Sequence, residues 1–265
     1  MKKTKISFSG VLLPLAFGAL VLIIWQTELL HKIIGTNTFT LPLPTTIIRI
    51  IGENLDSISA NAFDTIEVAL IGLVLGSIIG YLISILAAIF PKWGSGGLKV
   101  IALLSAIPII ALAPVITNLT KDFSTIAPER SMFAKIVLVT LLSAVSMSVG
   151  VYRGLTDLKP FSEDLLQTYA ATKFDIFIKL RLPNSVSYIF TALRVSIPTA
   201  IISTLIAEYF AEYITGVGRQ IRENIITSQY STAWAYITVA CAIGIIAYMF
   251  LVLAERLYKK KKHKI

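Results

Sequence analysis

Six apolar runs, at about residues 11–30, 62–90, 98–119, 132–151, 184–210 and 232–256, constrain this chain more than any motif it carries. Each is about 20 residues or longer, enough for a helix to cross a hydrocarbon core of roughly 30 Å. Composition agrees: 55% of the residues are hydrophobic, 15% are charged and mean hydropathy is +0.79, beyond the range of a soluble globular domain. The fold class is therefore all-α, a polytopic membrane protein with about six transmembrane helices. It reads as one membrane domain over 1–265, with its core at about 62–256 and no room for a second soluble domain. Lys2, Lys3 and Lys5 before the first run suggest a signal peptide. That run is longer than an h-region and lacks a small-x-small cleavage site, so it is read as a retained first helix.

The basic residues set an orientation. With the N-terminus inside, the inner side holds Lys2, Lys3, Lys5, Lys92, Lys99, Arg153, Lys159, Lys173, Lys179, Arg181, Arg194, Arg256, Lys259 to Lys262 and Lys264, which is 17 of the 24 Lys and Arg. Both termini are then cytoplasmic, in a cell (inner) membrane. The net charge of +9 reports these inner loops rather than a nucleic-acid partner. The tail "ERLYKKKKHKI" reads as a stop-transfer anchor in preference to an anionic-lipid site. Cys241 is the only cysteine, which excludes an internal disulfide and a thiolate metal site. His31 and His263 stand alone, with no ligand pattern.

One inner stretch departs from the greasy background. "ATKFDIFIKLRLPNSVSYIFTALR" (171–194) crowds Lys173, Asp175, Lys179 and Arg181 together and then meets Leu182-Pro183. Upstream, Phe161, Leu165, Leu166, Tyr169 and Ala170 share one helical face; Phe174, Phe177, Ile178 and Leu180 form a second set. The spacing predicts two short amphipathic helices with a bend near Ala170 to Thr172, stopped by Pro183, which cannot continue the backbone ladder. An interfacial helix lying on lipid headgroups has the same composition.

"DLLQTYAATKFDIFIKLRLP" (164–183) resembles the cytoplasmic loop of ABC-importer permeases, whose pattern is Glu-Ala-Ala, then Gly, an apolar residue and Leu-Pro. Leu182-Pro183 matches the Leu-Pro, Leu180 the apolar position, and Ala171-Thr172 the small pair after the glycine. Asp164 stands at the Glu position, Leu165 and Leu166 at the two alanines, and Ala170 at the glycine. "LPLPTTI" (41–47), "SAIPIIALAPV" (105–115), "LPNSVSYIFTALRVS" (182–196) and "AEYFAEYITGVGRQI" (207–221) are similar to further segments of the nitrate/sulfonate/taurine branch of that family, in order and at matching spacing. The resemblance spans about residues 38–257. It implies a type I ABC-importer transmembrane domain whose 152–183 loop is cytoplasmic. Residues 161–182 would dock in a separate ATPase subunit, with Asp164, Leu165, Leu166, Thr168, Tyr169, Ala170, Ala171, Thr172, Phe174, Phe177, Leu182 and Pro183 carrying the coupling. It also implies a second permease subunit, making a homodimer, and an extracytoplasmic binding protein that meets the outer loops 31–61, 121–131 and 211–230. The chain has no G-x-x-x-x-G-K-[ST], and "GSGGLK" (94–99) does not qualify. It is thus expected to bind no cofactor and hydrolyse no ATP; ATP and magnesium belong to the partner subunit.

Gly72, Gly76, Gly80, Ser84 and Ala88 recur at spacing four, a stripe suited to close helix packing within the chain or at a dimer seam. Pro108, Pro114 and Pro198 interrupt apolar runs and free backbone carbonyls, which membrane proteins tolerate in packed or cavity-lining positions. With nearby hydroxyls they give a candidate translocation path of Ser105, Pro108, Ser143, Ser146, Pro198, Thr199 and Ser203. Asp64, Glu67, Glu208 and Arg194 lie near span ends, where they can snorkel or pair. An ion-coupled secondary transporter or channel is the alternative, and predicts ionisable residues at the midplane. An intramembrane enzyme would need paired histidines or a Ser-Lys or Asp-Asp pair at helical spacing, and none is present. The solute is not legible: the branch handles sulfonates, nitrate, pyrimidine precursors and riboflavin-like heteroaromatics. Hydroxyls with few fixed cations lean toward a neutral or weakly charged organic solute.

Overall fold

A computed structural model describes residues 8–211 and 213–262. Lys2, Lys3, Lys5, His263 and Lys264, which entered the sequence reading, lie outside the described residues, as does Glu212. Every regular element among the described residues is helical. In chain order these are α1 (Phe8–Gln26), α2 (Leu29–Ile34), α3 (Pro44–Glu53), α4 (Leu55–Ile89), α5 (Pro91–Leu103), α6 (Ile109–Leu119), α7 (Ala127–Thr156), α8 (Ser162–Thr168), α9 (Lys173–Ile176), α10 (Leu182–Phe210), α11 (Val217–Ile226) and α12 (Tyr230–Lys262).

Four of the expected spans are single helices long and apolar enough to cross a bilayer, in Leu55–Ile89, Ala127–Thr156, Lys173–Phe210 and Tyr230–Lys260. Gly94–Ala106 and Ile109–Leu119 pass the same test only as a pair, bent by 98°, and count as a fifth when the two are taken as one span. Pro108 sits at that bend with extended backbone, and its carbonyl accepts from Ala111 N–H at 2.9 Å to start α6. The run expected at 11–30 ends early, at Gln26. Thr27 there turns its hydroxyl back onto the Ile23 carbonyl at 2.9 Å, and Glu28 adopts φ +60°.

Two local expectations are corrected. The Pro- and Gly-rich "PKWGSGG" (91–97), which on sequence reads as a tight turn between spans, is instead the start of α5, with Pro91 at the helix N-terminus, where its missing N–H costs nothing. The chain reverses at Phe90, and Gly94 packs so closely on α4 that a Cβ there would sit 2.0 Å from the Ala87 carbonyl oxygen. Nor does Pro183 stop a helix. The turn Phe177–Arg181 widens to a π-helical spacing, Leu182 N–H donating to the Phe177 carbonyl, and the helix continues into α10. Widening moves the upstream carbonyls away from the proline ring, which is how such turns absorb a clash that would otherwise kink the helix.

The centre of the bundle is α7, more than half of whose most apolar window is buried, 56% against 11% for α12. α4 runs parallel to it along the small-residue stripe. Cβ atoms added at Gly72, Gly76 and Gly80 would lie 2.5–2.6 Å from Val139, Thr140 and Ala144 in turn, and Ser84 Oγ donates to the Ser148 carbonyl at 2.8 Å. The stripe is thus an internal seam. α10 runs antiparallel on the other side, where Gly150 and Gly154 meet Ala192 and Tyr188. At one end of the bundle α3, α11 and the starts of α4 and α12 enclose Ile47, Ile58, Val217, Ala235 and Tyr236. At the other, Ala88, Met147, Val151, Leu155 and Ala192 form a core that takes in Phe177 and Leu182.

Candidate functional site

Three places in the bundle gather polar chemistry. The first is the stretch 157–188. α8 ends at Thr168, with Tyr169 as its C-cap and Ala170 at φ +55°. Ala170 N–H donates to the Gln167 carbonyl at 2.9 Å and Ala171 N–H to Leu166 at 3.1 Å, the paired bonds of a Schellman cap. Two residues later a capping box opens α9. Asp175 N–H donates to Thr172 Oγ1 at 3.1 Å, Thr172 N–H returns to Asp175 Oδ2 at 3.2 Å, and Lys179 donates to Asp175 Oδ1 at 2.7 Å. The expected bend therefore lies between a C-cap and an N-cap, each of which bonds backbone groups of its own helix end.

This geometry sorts the residues of the predicted loop. Phe161, Leu165, Tyr169 and Phe174 stand out from the bundle, Tyr169 at 79% and Phe161 at 81% exposure. Asp164, Thr168, Ala170, Thr172 and Pro183 are exposed, and Leu166 and Ala171 are half-buried. Phe177 and Leu182 point the other way and pack into the core with Met147 and Leu155. The stretch has an apolar outer face and an apolar root. Its root is tied to α7 by Asn184, whose Nδ2 donates to the Gly154 carbonyl at 2.8 Å, and by Tyr188, whose hydroxyl donates to Asp157 Oδ2 at 2.6 Å.

The second place is a cleft of about 400 Å³ between α5, α7 and α10, within the size range of small-ligand sites. Ser105, Ser146, Gly150, Arg153, Tyr188 and Thr191 line it. It brings together Ser105 and Ser146 of the predicted path, and Pro108 lies exposed close by in sequence. Ser143 and Ser203 do not reach it. Ser143 is fully enclosed against Gly76, and Ser203 is enclosed with its hydroxyl on the Thr199 carbonyl at 2.6 Å. Pro198 is exposed on α10, and Thr199, half-buried, bonds back to Val195 at 2.8 Å. The hydroxyls that line the cleft also donate to their own helices, Ser105 to Ala102 at 2.6 Å and Thr191 to Ser187 at 3.1 Å. They offer the cleft lone pairs rather than protons, and Arg153 supplies the donors.

The third place is a buried carboxylate at a span end, where snorkelling or pairing was the expectation. Glu208 is wholly enclosed. Thr65 Oγ1 donates to it at 2.8 Å and Gly218 N–H at 2.8 Å, while Val217 N–H donates to Thr65 Oγ1 at 2.9 Å. Gly216, at φ +92°, lets the chain fold over the carboxylate, where a Cβ would sit 2.2 Å from it. Lys135, also buried and likewise missed, reaches Thr215 Oγ1 at 3.5 Å. The group is a latch that holds Thr215 to Gly218 onto α4 and α7. Its signal in the sequence was Glu208 followed at short range by Gly216-Val217-Gly218. Among the described residues no cluster of His, Cys, Asp and Glu has the makings of a metal site.

Comparison with known proteins gives a consistent result. The family model described as "Binding-protein-dependent transport system inner membrane component" matches residues 72–263. The chain is 27% identical over 200 residues to the formylaminopyrimidine transport permease protein ThiX of Halalkalibacterium halodurans, the match covering 74% of each. It is 22% identical over 199 residues to a probable ABC transporter permease protein of Haemophilus influenzae, over 75% of this chain and 77% of that one. Among solved structures, the MetNI methionine ABC transporter in inward-facing conformations aligns with a TM-score of 0.60 at 17% identity, covering 78% of this chain and 96% of that chain. That likeness is one of fold. None of these matches singles out a branch of the family.

Proposed function

Since this chain belongs to the family of inner membrane components of binding-protein-dependent transport systems and is an ABC-importer permease subunit, we propose that it works as a paired subunit driven by a separate ATPase. The carrying observation is the outward apolar face of 161–174, set on a root packed into the bundle. Exposed aromatics on a polar loop, with both helix ends capped, suit insertion into a groove of a soluble protein. That partner is the ATPase, which hydrolyses ATP with magnesium, and this chain binds neither. A binding protein delivers the solute to loops 31–61, 121–131 and 211–230, and the latch around Glu208 keeps the last of these in place. The solute is a small organic molecule that carries both donors and acceptors, matched to the hydroxyl lone pairs and the Arg153 guanidinium of the cleft. A formylated aminopyrimidine, the class in the name of the relative from Halalkalibacterium halodurans, has that character.

Vesicles containing this chain alone should hydrolyse no ATP. Vesicles containing it with its ATPase should take up a labelled formylaminopyrimidine only when ATP and the binding protein are supplied. Uptake by the chain alone on an ion gradient would instead establish a secondary transporter.

The same reading puts the 152–183 loop and both termini in the cytoplasm. In a Cys241→Ser background, cysteines placed at Thr125 and Ser228 should react with an impermeant thiol reagent from outside intact cells. One at Lys173 should react only after permeabilisation. Labelling of position 173 from outside overturns the orientation and the docking face together.

A further inference from the structure

α8 is held in an unusual way. None of its residues is fully buried, and of its two leucines only Leu166 is half-buried, so little apolar contact fixes it to the bundle. Its covalent neighbours are the connection 157–161 on one side and the turn at Tyr169 to Thr172 on the other. Among the described residues, one ion pair joins it to the membrane helices. Arg181, the last residue of the widened turn before α10, donates from Nε and Nη2 to Glu163 Oε1 at 2.9 and 2.6 Å. Glu163 lies in the first turn of α8, where the helix dipole also favours a carboxylate. Both side chains are about a third exposed or less, 26% for Arg181 and 34% for Glu163, so solvent screens the pair only in part. The bridge closes a ring from 163 to 181 that contains α8, the capped bend and α9. Asn184 and Tyr188, one and two turns further on, then fasten the same root to the end of α7.

We propose that the Arg181–Glu163 pair is the strut that makes the docking segment and α10 move as one body. Resting on the reading that an ATPase pushes on 161–174, the argument is mechanical. A push on α8 with the strut intact displaces Arg181 and with it the base of α10. Without the strut the same push is absorbed by the connection 157–161 and the bend at Ala170, and the membrane helices stay where they are. Arg181 and Glu163 are positioning residues: they touch neither the solute nor, for Arg181, the docking face.

The experiment measures solute moved per ATP hydrolysed in vesicles that contain the permease, its ATPase and the binding protein. Arg181→Gln, Glu163→Gln and the double variant are compared, with copurification of the ATPase recorded for each. The strut predicts normal copurification, retained hydrolysis and a fall on the order of tenfold in solute per ATP, the scale set by two charge-assisted hydrogen bonds. The double variant should be no worse than either single one, because the pair is lost once. Arg181→Lys, which keeps the charge but not the two-point grip, should fall between. Equal coupling in all variants overturns the strut. So do additive losses, or loss of the ATPase from Arg181→Gln, either of which marks separate docking contacts. If Arg181→Gln fails to reach the membrane, Glu163→Gln and Arg181→Lys read the same ratio. Absence of ATP-driven uptake in the unaltered protein would be a different failure, that of the proposed function.

Discussion

Replacing Gly76 with Val should remove most of the folded protein from the membrane. A Cβ at Gly76 lies 2.5 Å from the Thr140 carbonyl oxygen and 2.9 Å from the Ala144 amide nitrogen. Both are backbone atoms of α7, so no side-chain rotation relieves the overlap. α4 would have to move off the most buried helix, and Ser84 would lose its bond to the Ser148 carbonyl four residues below Ala144. Overpacking of one site in a close-packed core costs ~1–3 kcal/mol. In lipid there is little hydrophobic drive to re-form a loosened seam, because helix association rests on packing itself. Gly18 and Gly244, in α1 and α12, have nothing within 4 Å of an added Cβ. Alanine there should be neutral or mildly stabilising, since glycine within a helix costs up to about 1 kcal/mol. The check is the amount of monodisperse protein recovered in mild detergent, by size exclusion of a fluorescent fusion. Recovery of Gly76→Val at the level of the unaltered protein would mean that the α4–α7 seam is not as close as described.

That seam was legible because it is written as a local repeat: small residues at spacing four can serve one helix face only. The broken third span was legible from Pro108, and the bend near Ala170 from the change of apolar face. The family followed from segments at matching spacing. What stayed hidden has a common cause. Helices that are apolar all round carry no periodic mark of which side meets protein, so Ser105 and Ser146, which reach the cleft, look no different from Ser143 and Ser203, which do not. Glu208 was placed near a span end, as indeed it is. Its burial depends on Thr65, 143 positions away, and on the fold-back at Gly216. The strut between Glu163 and Arg181 spans a ring whose closure needs the bend and the widened turn together. The second of these was masked by the ordinary expectation that Pro183 ends a helix.

Ala170→Pro should abolish transport while leaving the protein in the membrane. Ala170 holds φ near +55° and donates its N–H to the Gln167 carbonyl at 2.9 Å. Proline fixes φ near −65° and has no N–H, so the variant loses both the left-handed turn and one bond of the cap. α8 would leave its present angle to α9, and the exposed side chains of Leu165, Tyr169 and Phe174 would no longer form one face. The bundle should tolerate the change, because Ala170 is exposed and no residue of α8 is fully buried. Ala170→Gly separates geometry from sterics: it keeps both cap bonds and relieves a left-handed alanine of about 1 kcal/mol. Uptake should therefore stay at the level of the unaltered protein or rise, with lower sensitivity to heating. A cysteine at Thr168, in a Cys241→Ser background, should crosslink to the ATPase in a nucleotide-dependent way in Ala170→Gly and fail to do so in Ala170→Pro. Full uptake by Ala170→Pro, with no crosslink in any nucleotide state, would place the stretch on the lipid headgroups and move the coupling contact elsewhere on the chain.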